Sequence, residues 1–239
     1  MIEIATEKDI NALSDLWQSV FLEDKEVTEY FFDKIFTDVI TPVIRIENEI
    51  VSSLFLLPCE IGDFKGKCVY CAMTKYTHRG KGYMKNLLDF SYDWCKDNGF
   101  DFICLVPAEK SLFEYYAKCG FSPFGVRKTH IMNGETPEIK EKLCFKNELT
   151  FVDKILNYWQ NSCIHYGGKI TDFGLVFDDE NIIIRNAKGS FESIPDEYKI
   201  NGTIIQGDIL FGENEHPAMI KTENEKIKNM ACYVGITLE

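Results

Sequence analysis

One short run, residues 101–106 (DFICLV), restricts the fold more than any other segment of this chain. It has the length of a strand, and it lacks the alternation of apolar and polar residues that marks a strand with one face in water. Such a run indicates a strand buried on both faces, as in the parallel part of a sheet that helices cover on either side.

The segments before and after this run supply those helices. Apolar spacing predicts helices over 10–20, 26–36, 82–98 and 110–119. Strands are predicted over 2–4, 42–46, 50–58, 66–76, 101–106, 121–124 and 126–132. Strands that alternate with helices in the middle of the chain predict an α/β (α+β) fold whose sheet contains parallel pairs.

A polar stretch over 133–150 (NGETPEIKEKLCFKNELT) interrupts this pattern and predicts a domain boundary. We therefore expect a first domain over 1–135 and a smaller C-terminal α+β domain over 148–239. The second would contain a helix over 151–165, a hairpin (FGLVF-DDEN-IIIR) and a last strand (ACYVGITL).

The charge of the chain limits its partners. The 239 residues include 26 Lys and Arg against 38 Asp and Glu, a net charge of −12. Nucleic acid and anionic membranes select basic surfaces, so neither is expected as a partner. No stretch approaches the roughly 18 apolar residues that cross a bilayer. The start, MIEIATEKDI, lacks the pattern of a secretory signal.

The nine cysteines are odd in number and follow no repeated framework, which favours reduced thiols in a cytoplasmic protein. Cys68 and Cys71 form a C-x-x-C, but on a predicted strand. We interpret them as structural thiols, with metal or redox use as the alternative, and we expect no metal.

The most informative segment is KYTHRGKGYMKNLL, residues 75–88, between a predicted strand and a predicted helix. Its glycines allow the backbone to pass close to a ligand. The helix start after them offers amides without intrahelical partners, which together with the helix dipole bind anions. Six basic residues and no acid lie between Lys65 and Leu88, namely Lys65, Lys67, Lys75, Arg79, Lys81 and Lys85. We predict a phosphate or pyrophosphate site; a solvated glycine-rich loop is the alternative.

Two common phosphate loops do not fit this segment. The Walker pattern G-x-x-x-x-G-K-[ST] is absent, and a Rossmann G-x-G-x-x-G would need glycine at position 85, which is Lys85.

The loop resembles the acetyl-CoA loop, R-x-x-G-x-[GA], of the GNAT acetyltransferases. Arg79 and Gly82 match it, and Met84 stands where the family has Gly or Ala. A second segment, SLFEYYAKCGF (111–121), resembles the family's L-Y-E-K-x-G-F, with Tyr116 on its tyrosine. The resemblance covers about residues 1–132. Together with the C-terminal extension, the LVPA run resembles the Eis-like (enhanced intracellular survival) branch of bacterial two-domain acetyltransferases.

The resemblance implies a mixed sheet whose central strands splay apart to bind acetyl-CoA as co-substrate. The residues that would bind it are Ala72, Met73 and Thr74 on the strand and Arg79, Gly80, Lys81, Gly82, Tyr83 and Met84 in the loop and helix start. Transfer of the acetyl group to an amine would follow by direct attack. An amide of Met73 or Thr74 would stabilise the oxyanion.

By the same resemblance, Tyr116 would be the general acid that protonates the leaving thiolate, with Tyr115 as its competitor in register. The general base is open, because the strand over 66–76 has no acid. His78, the terminal carboxylate of Glu239, which the Eis-like resemblance suggests, and water are the alternatives.

Acidic residues cluster in and before the second helix: Glu23, Asp24, Glu26, Glu29 and Asp33. An acidic rim would favour a cationic acceptor such as a polyamine, an aminoglycoside or a peptide lysine; the alternative is a solvated helix face. A non-catalytic acyl-CoA-binding or sensing protein is the rival function. The C-terminal domain could also be a degenerate GNAT-like unit, select the substrate, or form a homodimer.

Overall fold

The computed structural model of this chain describes residues 2–23, 25–125, 127–133, 149–151, 182–184, 190–193, 208–210, 214–215, 218–230 and 232. The helices in these residues are α1 (Ile10–Phe21), α2 (Lys25–Lys34), α3 (Tyr83–Asp97), α4 (Lys110–Lys118) and α5 (Glu225–Lys228).

The strands of the first part of the chain are β1 (Ile2–Ile4), β2 (Pro42–Ile46), β3 (Glu49–Ile61), β4 (Phe64–Thr74), β5 (Phe102–Leu105), β6 (Ser122–Phe124) and β7 (Arg127–Asn133). Those that follow are β8 (Leu149–Phe151), β9 (Ile182–Ile184), β10 (Ser190–Ser193), β11 (Asp208–Leu210), β12 (Asn214–Glu215) and β13 (Ala218–Lys221).

The main sheet has eight strands in the order β1-β2-β3-β4-β5-β13-β6, with β8 paired to β3. Strands β4 and β5 run parallel, and the other described pairs are antiparallel. The structure thus confirms the predicted mixed α/β sheet with a parallel pair. A second sheet, in the order β11-β7-β10-β9 with β12 on β7, contains the strand predicted over 126–132.

Helices cover both faces of the main sheet. On one face, α1 and α2 bury side chains that include Leu13, Trp17 and Phe31. On the other face, α3 and α4 bury side chains that include Leu87 and Tyr116.

Strand β5 divides its side chains between these two layers, as its unbroken apolar run predicts. Phe102 and Cys104 belong to the α1/α2 layer, and Ile103 and Leu105 belong to the α3/α4 layer. All four are at most 2% exposed.

The start of α1 is tied to the sheet through one carboxylate. The Thr6 amide donates to Asp9 Oδ2 at 2.8 Å, and Arg45 on β2 donates to Asp9 Oδ1 at 2.5 Å. Partial burial raises the pKa of Asp9, but the hydrogen bonds from Thr6 and Arg45 outweigh it and hold that pKa below its usual value. This carboxylate is therefore ionised at neutral pH and fixes where α1 begins.

Strand β13 lies between β5 and β6, although about 90 residues separate it from β6 in the chain. Phe124 pairs with Ala218, and Met219 pairs with Leu105, so the chain leaves the sheet at β6 and returns beside the same residues. Two hydrogen bonds join this segment to α3. Lys221 Nζ donates to Asp89 Oδ1 at 3.0 Å, and Lys96 Nζ donates to Glu223 Oε1 at 2.8 Å.

Residues 218–230 and Cys232 therefore pack with the first part of the chain, although they fall in the range expected for the C-terminal domain. The division at 135–148 stays a prediction. The helix predicted over 151–165 and the last predicted strand lie outside the described residues, apart from Phe151 and Cys232. Of the predicted hairpin, Ile182–Ile184 is described, as β9.

Within the part of the chain that the structure describes, no helix combines the length and apolar character needed to span a bilayer. The seven cysteines placed there carry free thiols. The same residues contain no group of three or more His, Cys, Asp or Glu that could hold a metal ion.

The position of β13 predicts that its core residues stabilise the N-terminal sheet. Ile220→Ala removes a side chain that is 3% exposed between β5 and β6, and it should lower the free energy of unfolding by about 2–5 kcal/mol. The exposed Lys226→Ala, from the same segment, should change it by less than about 0.5 kcal/mol. Urea unfolding measures both.

Hydrogen exchange distinguishes destabilisation of the whole N-terminal sheet from local opening around β13. Ile220→Ala should also speed the exchange of the amides of β5, because both strands share one ladder. If β5 keeps its protection while only 218–232 opens, the segment is not part of the N-terminal core.

Candidate active site

The parallel pairing of β4 and β5 covers only four residues of each strand. It runs from Gly66 opposite Phe102 to Val69 opposite Leu105, where β5 ends. Strand β4 continues to Thr74. Among the residues that the structure describes, no strand pairs with this side of β4 beyond Val69, so its edge can accept another hydrogen-bonding chain.

A β-bulge changes the direction of β4 where it leaves β5. Ser53 pairs with Met73 and Phe55 with Tyr70, so Leu54 lies opposite two residues, Cys71 and Ala72. Cys71 has a φ of 45°, which is rare for a residue other than glycine. Bulges bend a strand and commonly lie next to active sites. The bulge thus separates the paired part of β4 from its open end.

The hydrogen-bond pattern shows which backbone groups of β4 face the opening. The Lys75 amide donates to the Val51 carbonyl at 2.8 Å, and the register pairs Ser52 with Thr74. Since hydrogen-bonded and non-hydrogen-bonded pairs alternate in an antiparallel ladder, Met73 bonds to β3 and Thr74 directs its amide and carbonyl away from it. The Thr74 carbonyl accepts a bond from Arg79 Nε at 3.2 Å.

Two glycines place the start of α3 beside this open edge. Gly80 and Gly82 have φ values of 75° and 78°, and a Cβ atom at either would meet nothing within 4 Å. Glycine is thus required for backbone conformation, and the space beside both residues is open.

Helix α3 begins at Tyr83, and the Asn86 amide makes its first bond, to the Gly82 carbonyl at 3.0 Å. The amides of Tyr83, Met84 and Lys85 consequently lack acceptors within the helix, and its first turn has no acidic residue. This is the geometry that binds anions at a helix N-terminus.

The basic island of the sequence is more dispersed in the structure. Lys67 is buried over the ring of Phe100, 4.7 Å from its centroid. Lys75 pairs with Glu49, and Lys85 pairs with Asp89.

Arg79 and Lys81 thus carry the positive charge of the loop. Both are exposed, and neither forms an ion pair with a residue that the structure describes.

Tyr116 lies on α4 and is 8% exposed, whereas Tyr115 beside it is 37% exposed. Burial raises the pKa of Tyr116 to about 12, with a smaller contribution from the charge of Cys119. Its ring packs edge-on against Phe121, with centroids 6.1 Å apart. It is therefore protonated at neutral pH, as a proton donor must be.

The predicted site residues divide between the two faces of the sheet. Ala72, Tyr83 and Met84 pack in the same apolar layer as Tyr116. The Met73 side chain is fully buried in the opposite layer, and the Met73 backbone bonds to β3.

The candidates for a general base lie in different places. His78 belongs to the loop, where its Nδ1 lies 3.0 Å from Thr77 Oγ1 and its ring stacks on Tyr83 at 6.3 Å. Glu239 lies outside the described residues, so its role stays a prediction.

In the acidic cluster, Glu29 pairs with Lys25 and Asp33 with Lys34 on exposed surface, which favours the solvated-face interpretation for these two. Asp24 is outside the described residues.

Sequence reasoning missed two features of this site. The bulge at Cys71 gives no sequence signal, because the strand pattern continues through it. Ser52 is fully buried on β3, where its Oγ donates to the Met73 carbonyl at 2.9 Å and lies 2.8 Å from Thr74 Oγ1. It holds the end of β4 in place after β5 has ended.

Residues 1–124 match the family model described as an acetyltransferase (GNAT) domain. A probable N-acyltransferase from Enterococcus faecalis V583 has a similar fold, with a TM-score of 0.51 and 14% identity, over 61% of this chain and 38% of that one. A GNAT family acetyltransferase from Brucella melitensis in complex with acetyl-CoA gives a TM-score of 0.44 and 13% identity, over 51% and 82%. The match thus spans well under half of the Enterococcus protein. No curated protein matches the chain.

The loop geometry predicts that Gly82 is needed for anion binding. Gly82→Ala forces a Cβ atom into a left-handed conformation, at a cost of about 1–2 kcal/mol, and should turn the first amides of α3 away from an anion. Titration with inorganic pyrophosphate, followed by the NMR shifts of the amides of residues 80–85, should show affinity reduced about tenfold.

Gly99→Ala is the matched control. Gly99 has the same φ of 78° and the same open surroundings, but it lies beyond the other end of α3. It should lower thermal stability to a similar extent and leave pyrophosphate binding unchanged. Equal loss of pyrophosphate binding in both variants would show that the loss follows from lower stability and not from the geometry of the turn at Gly82.

Proposed function

This chain belongs to the GNAT acetyltransferase domain family, and on that premise we propose that it transfers an acetyl group from acetyl-CoA to an amine. One observation carries the proposal: the open edge of β4 beyond Val69 lies next to the N-terminus of α3, whose first amides lack partners. An extended, phosphorylated thioester needs both features, a backbone edge for its amides and an anion site for its phosphates.

Acetyl-CoA would lie with its pantetheine along Ala72, Met73 and Thr74. Its pyrophosphate would bind the amides of Gly80, Lys81, Gly82, Tyr83 and Met84. The absence of a Cβ clash at the two glycines supports this placement. Arg79 is partly engaged, because its Nε bonds to Thr74, so we expect its remaining nitrogens and Lys81 to contact phosphate at the rim.

The reaction begins when the lone pair of a neutral amine attacks the thioester carbonyl carbon. The carbonyl oxygen becomes an oxyanion, which the Thr74 amide is best directed to stabilise, because the Met73 amide faces β3. The C–S bond then breaks, and Tyr116 gives its hydroxyl proton to the leaving thiolate. With a pKa raised to about 12, Tyr116 carries this proton at neutral pH.

A second function, non-catalytic binding or sensing of an acyl-CoA, is favoured by the composition of β4. Strand β4 contains no Asp or Glu from Phe64 to Thr74, so it offers no carboxylate to an acceptor. Membership of the Eis-like two-domain branch, and a role of the C-terminal residues in substrate selection or in a homodimer, are further predictions.

Release of the CoA thiol distinguishes the two functions. The full chain with acetyl-CoA and a panel of amines (a polyamine, an aminoglycoside and a lysine-containing peptide) should release thiol over time, with equal formation of the acetylated amine by mass spectrometry. Binding of acetyl-CoA without release on any amine would favour the sensor.

Tyr116→Phe tests the general acid. It should lower kcat by about 10²–10⁴-fold, because the thiolate then leaves without a proton, while the Kd for acetyl-CoA stays nearly unchanged. Tyr115→Phe is the matched control and should keep turnover close to that of the unmodified protein. Loss of affinity with normal turnover of the bound complex would contradict the role given to Tyr116.

A further inference from the structure

Two consecutive serines interrupt the apolar run of β3. Ser52 and Ser53 are both fully buried, and a buried hydroxyl needs a hydrogen-bond partner. Ser53 Oγ donates to the Pro42 carbonyl on β2 at 3.2 Å, whereas Ser52 Oγ donates to the Met73 carbonyl on β4 at 2.9 Å. The two hydroxyls thus bind opposite neighbours of β3, and that of Ser52 reaches the end of β4 that extends beyond β5.

The single hydroxyl proton of Ser52 sets the direction of a longer hydrogen-bond chain. The Met73 carbonyl can only accept a hydrogen bond, so Ser52 gives its proton to that carbonyl. Thr74 Oγ1 lies 2.8 Å from Ser52 Oγ and must therefore be the donor of that pair. The chain runs from the Thr74 hydroxyl through Ser52 to the Met73 carbonyl, and hydrogen bonds in such a chain polarise one another.

The Met73 carbonyl and the Thr74 amide belong to the same peptide group. A trans peptide group is planar, and its C=O and N–H bonds point in opposite directions. Because the carbonyl faces Ser52 on β3, the amide faces the open edge of β4. A hydrogen bond to the carbonyl oxygen also polarises the peptide group and makes its N–H a stronger donor. Ser52 therefore both directs and polarises the Thr74 amide.

The following peptide group is held at both of its polar atoms. The Thr74 carbonyl accepts a bond from Arg79 Nε at 3.2 Å, and the Lys75 amide donates to the Val51 carbonyl at 2.8 Å. Among the residues described, the alternation of the β3–β4 ladder leaves the Thr74 amide without an acceptor. This amide is thus fixed in direction by its neighbours while its own hydrogen stays available to a ligand.

We propose that Ser52 is a positioning residue for acetyl transfer, which orients and polarises the Thr74 amide so that this amide stabilises the oxyanion. The assignment rests on the proposed function and extends it to a residue that touches neither co-substrate nor acceptor. No bond to Ser52 forms or breaks. The hydrogen bond from the Thr74 amide strengthens as the thioester oxygen gains charge and weakens again when the C–S bond breaks. A donor held in place beforehand needs no reorganisation during this step.

Ser52→Ala tests this role, because it removes the donor to the Met73 carbonyl and keeps the backbone of β3. In the full chain, kcat for the best amine should fall about 10-fold, which is less than the cost of about 10²–10³-fold for losing an oxyanion donor outright. The Kd for acetyl-CoA should stay within about twofold of its original value, since the affected interaction strengthens only in the transition state.

Ser53→Ala is the matched control. It removes an equally buried hydroxyl from the adjacent residue, but one whose partner lies on β2. It should keep kcat within about twofold of the unmodified protein, because the chain from Thr74 to Met73 stays intact.

Ser52→Cys distinguishes loss of the donor from loss of packing. It keeps a side chain of similar size in this fully buried position and replaces the hydroxyl with a weak donor. The kcat of Ser52→Cys should therefore lie between those of the unmodified protein and Ser52→Ala. A purely structural role would instead make kcat follow the melting temperatures of the three proteins.

The peptide group itself can be observed, because residues 73 and 74 form the one Met-Thr pair of the sequence. In the full chain labelled with ¹³C at methionine carbonyls and ¹⁵N at threonine, an NMR spectrum that selects bonded ¹³C–¹⁵N pairs shows this group as a single signal. Ser52→Ala should shift that signal, because the Met73 carbonyl loses a donor, and Ser53→Ala should shift it less.

The kinetic and spectroscopic results fail independently. A normal kcat of Ser52→Ala with a shifted signal overturns the positioning role and leaves the acetyltransferase proposal intact. An unshifted signal in Ser52→Ala overturns the hydrogen bond on which the role depends, and so does an equal loss of kcat in Ser52→Ala and Ser53→Ala overturn the role itself. Absence of thiol release by the unmodified protein on every amine overturns the acetyltransferase proposal and the role of Ser52 with it.

Discussion

The short parallel contact between β4 and β5 is the interaction on which the rest of this structure depends. It is held where Phe102 lies over Gly66, so closely that a Cβ atom at Gly66 would come within 2.4 Å of the ring. Because β5 ends three residues later, β4 continues with an open edge. The anion site, the bulge and the two flanking layers of helices matter for function because of their position around that edge.

The end of β4, which pairs with β3 but extends beyond β5, is held in place by further groups. Ser52 binds its backbone from β3, and Arg79 binds the Thr74 carbonyl from the loop. The Cys71 bulge sets its direction. A strand edge that is fixed before a ligand arrives loses little entropy on binding, which favours tight and well-oriented association.

Strand β13 extends the same sheet on the far side of β5. It enters the sheet antiparallel to β5 and is fastened to α3 through Lys221 and to the Asp101 carbonyl through Thr222 Oγ1, at 2.6 Å. The residues between β6 and β13 leave and re-enter at the end of β5 where it parts from β4. The sheet that carries the proposed active site is thus completed by residues close to the C-terminus.

The sequence by itself determined the local elements and the chemistry of the loop. Apolar spacing located α1, α3 and β5 to within a few residues, because burial imposes a periodicity that a single sequence displays. The glycines at 80 and 82 predicted a loop that lets the backbone approach a ligand closely, and in the structure both residues have positive φ values, which glycine adopts without strain. Tertiary structure alone decided the features that join distant segments. The pairing of β13 with β5 and β6 and the neutralisation of Lys75 by Glu49 depend on contacts between segments that are distant in the sequence, which no local pattern encodes.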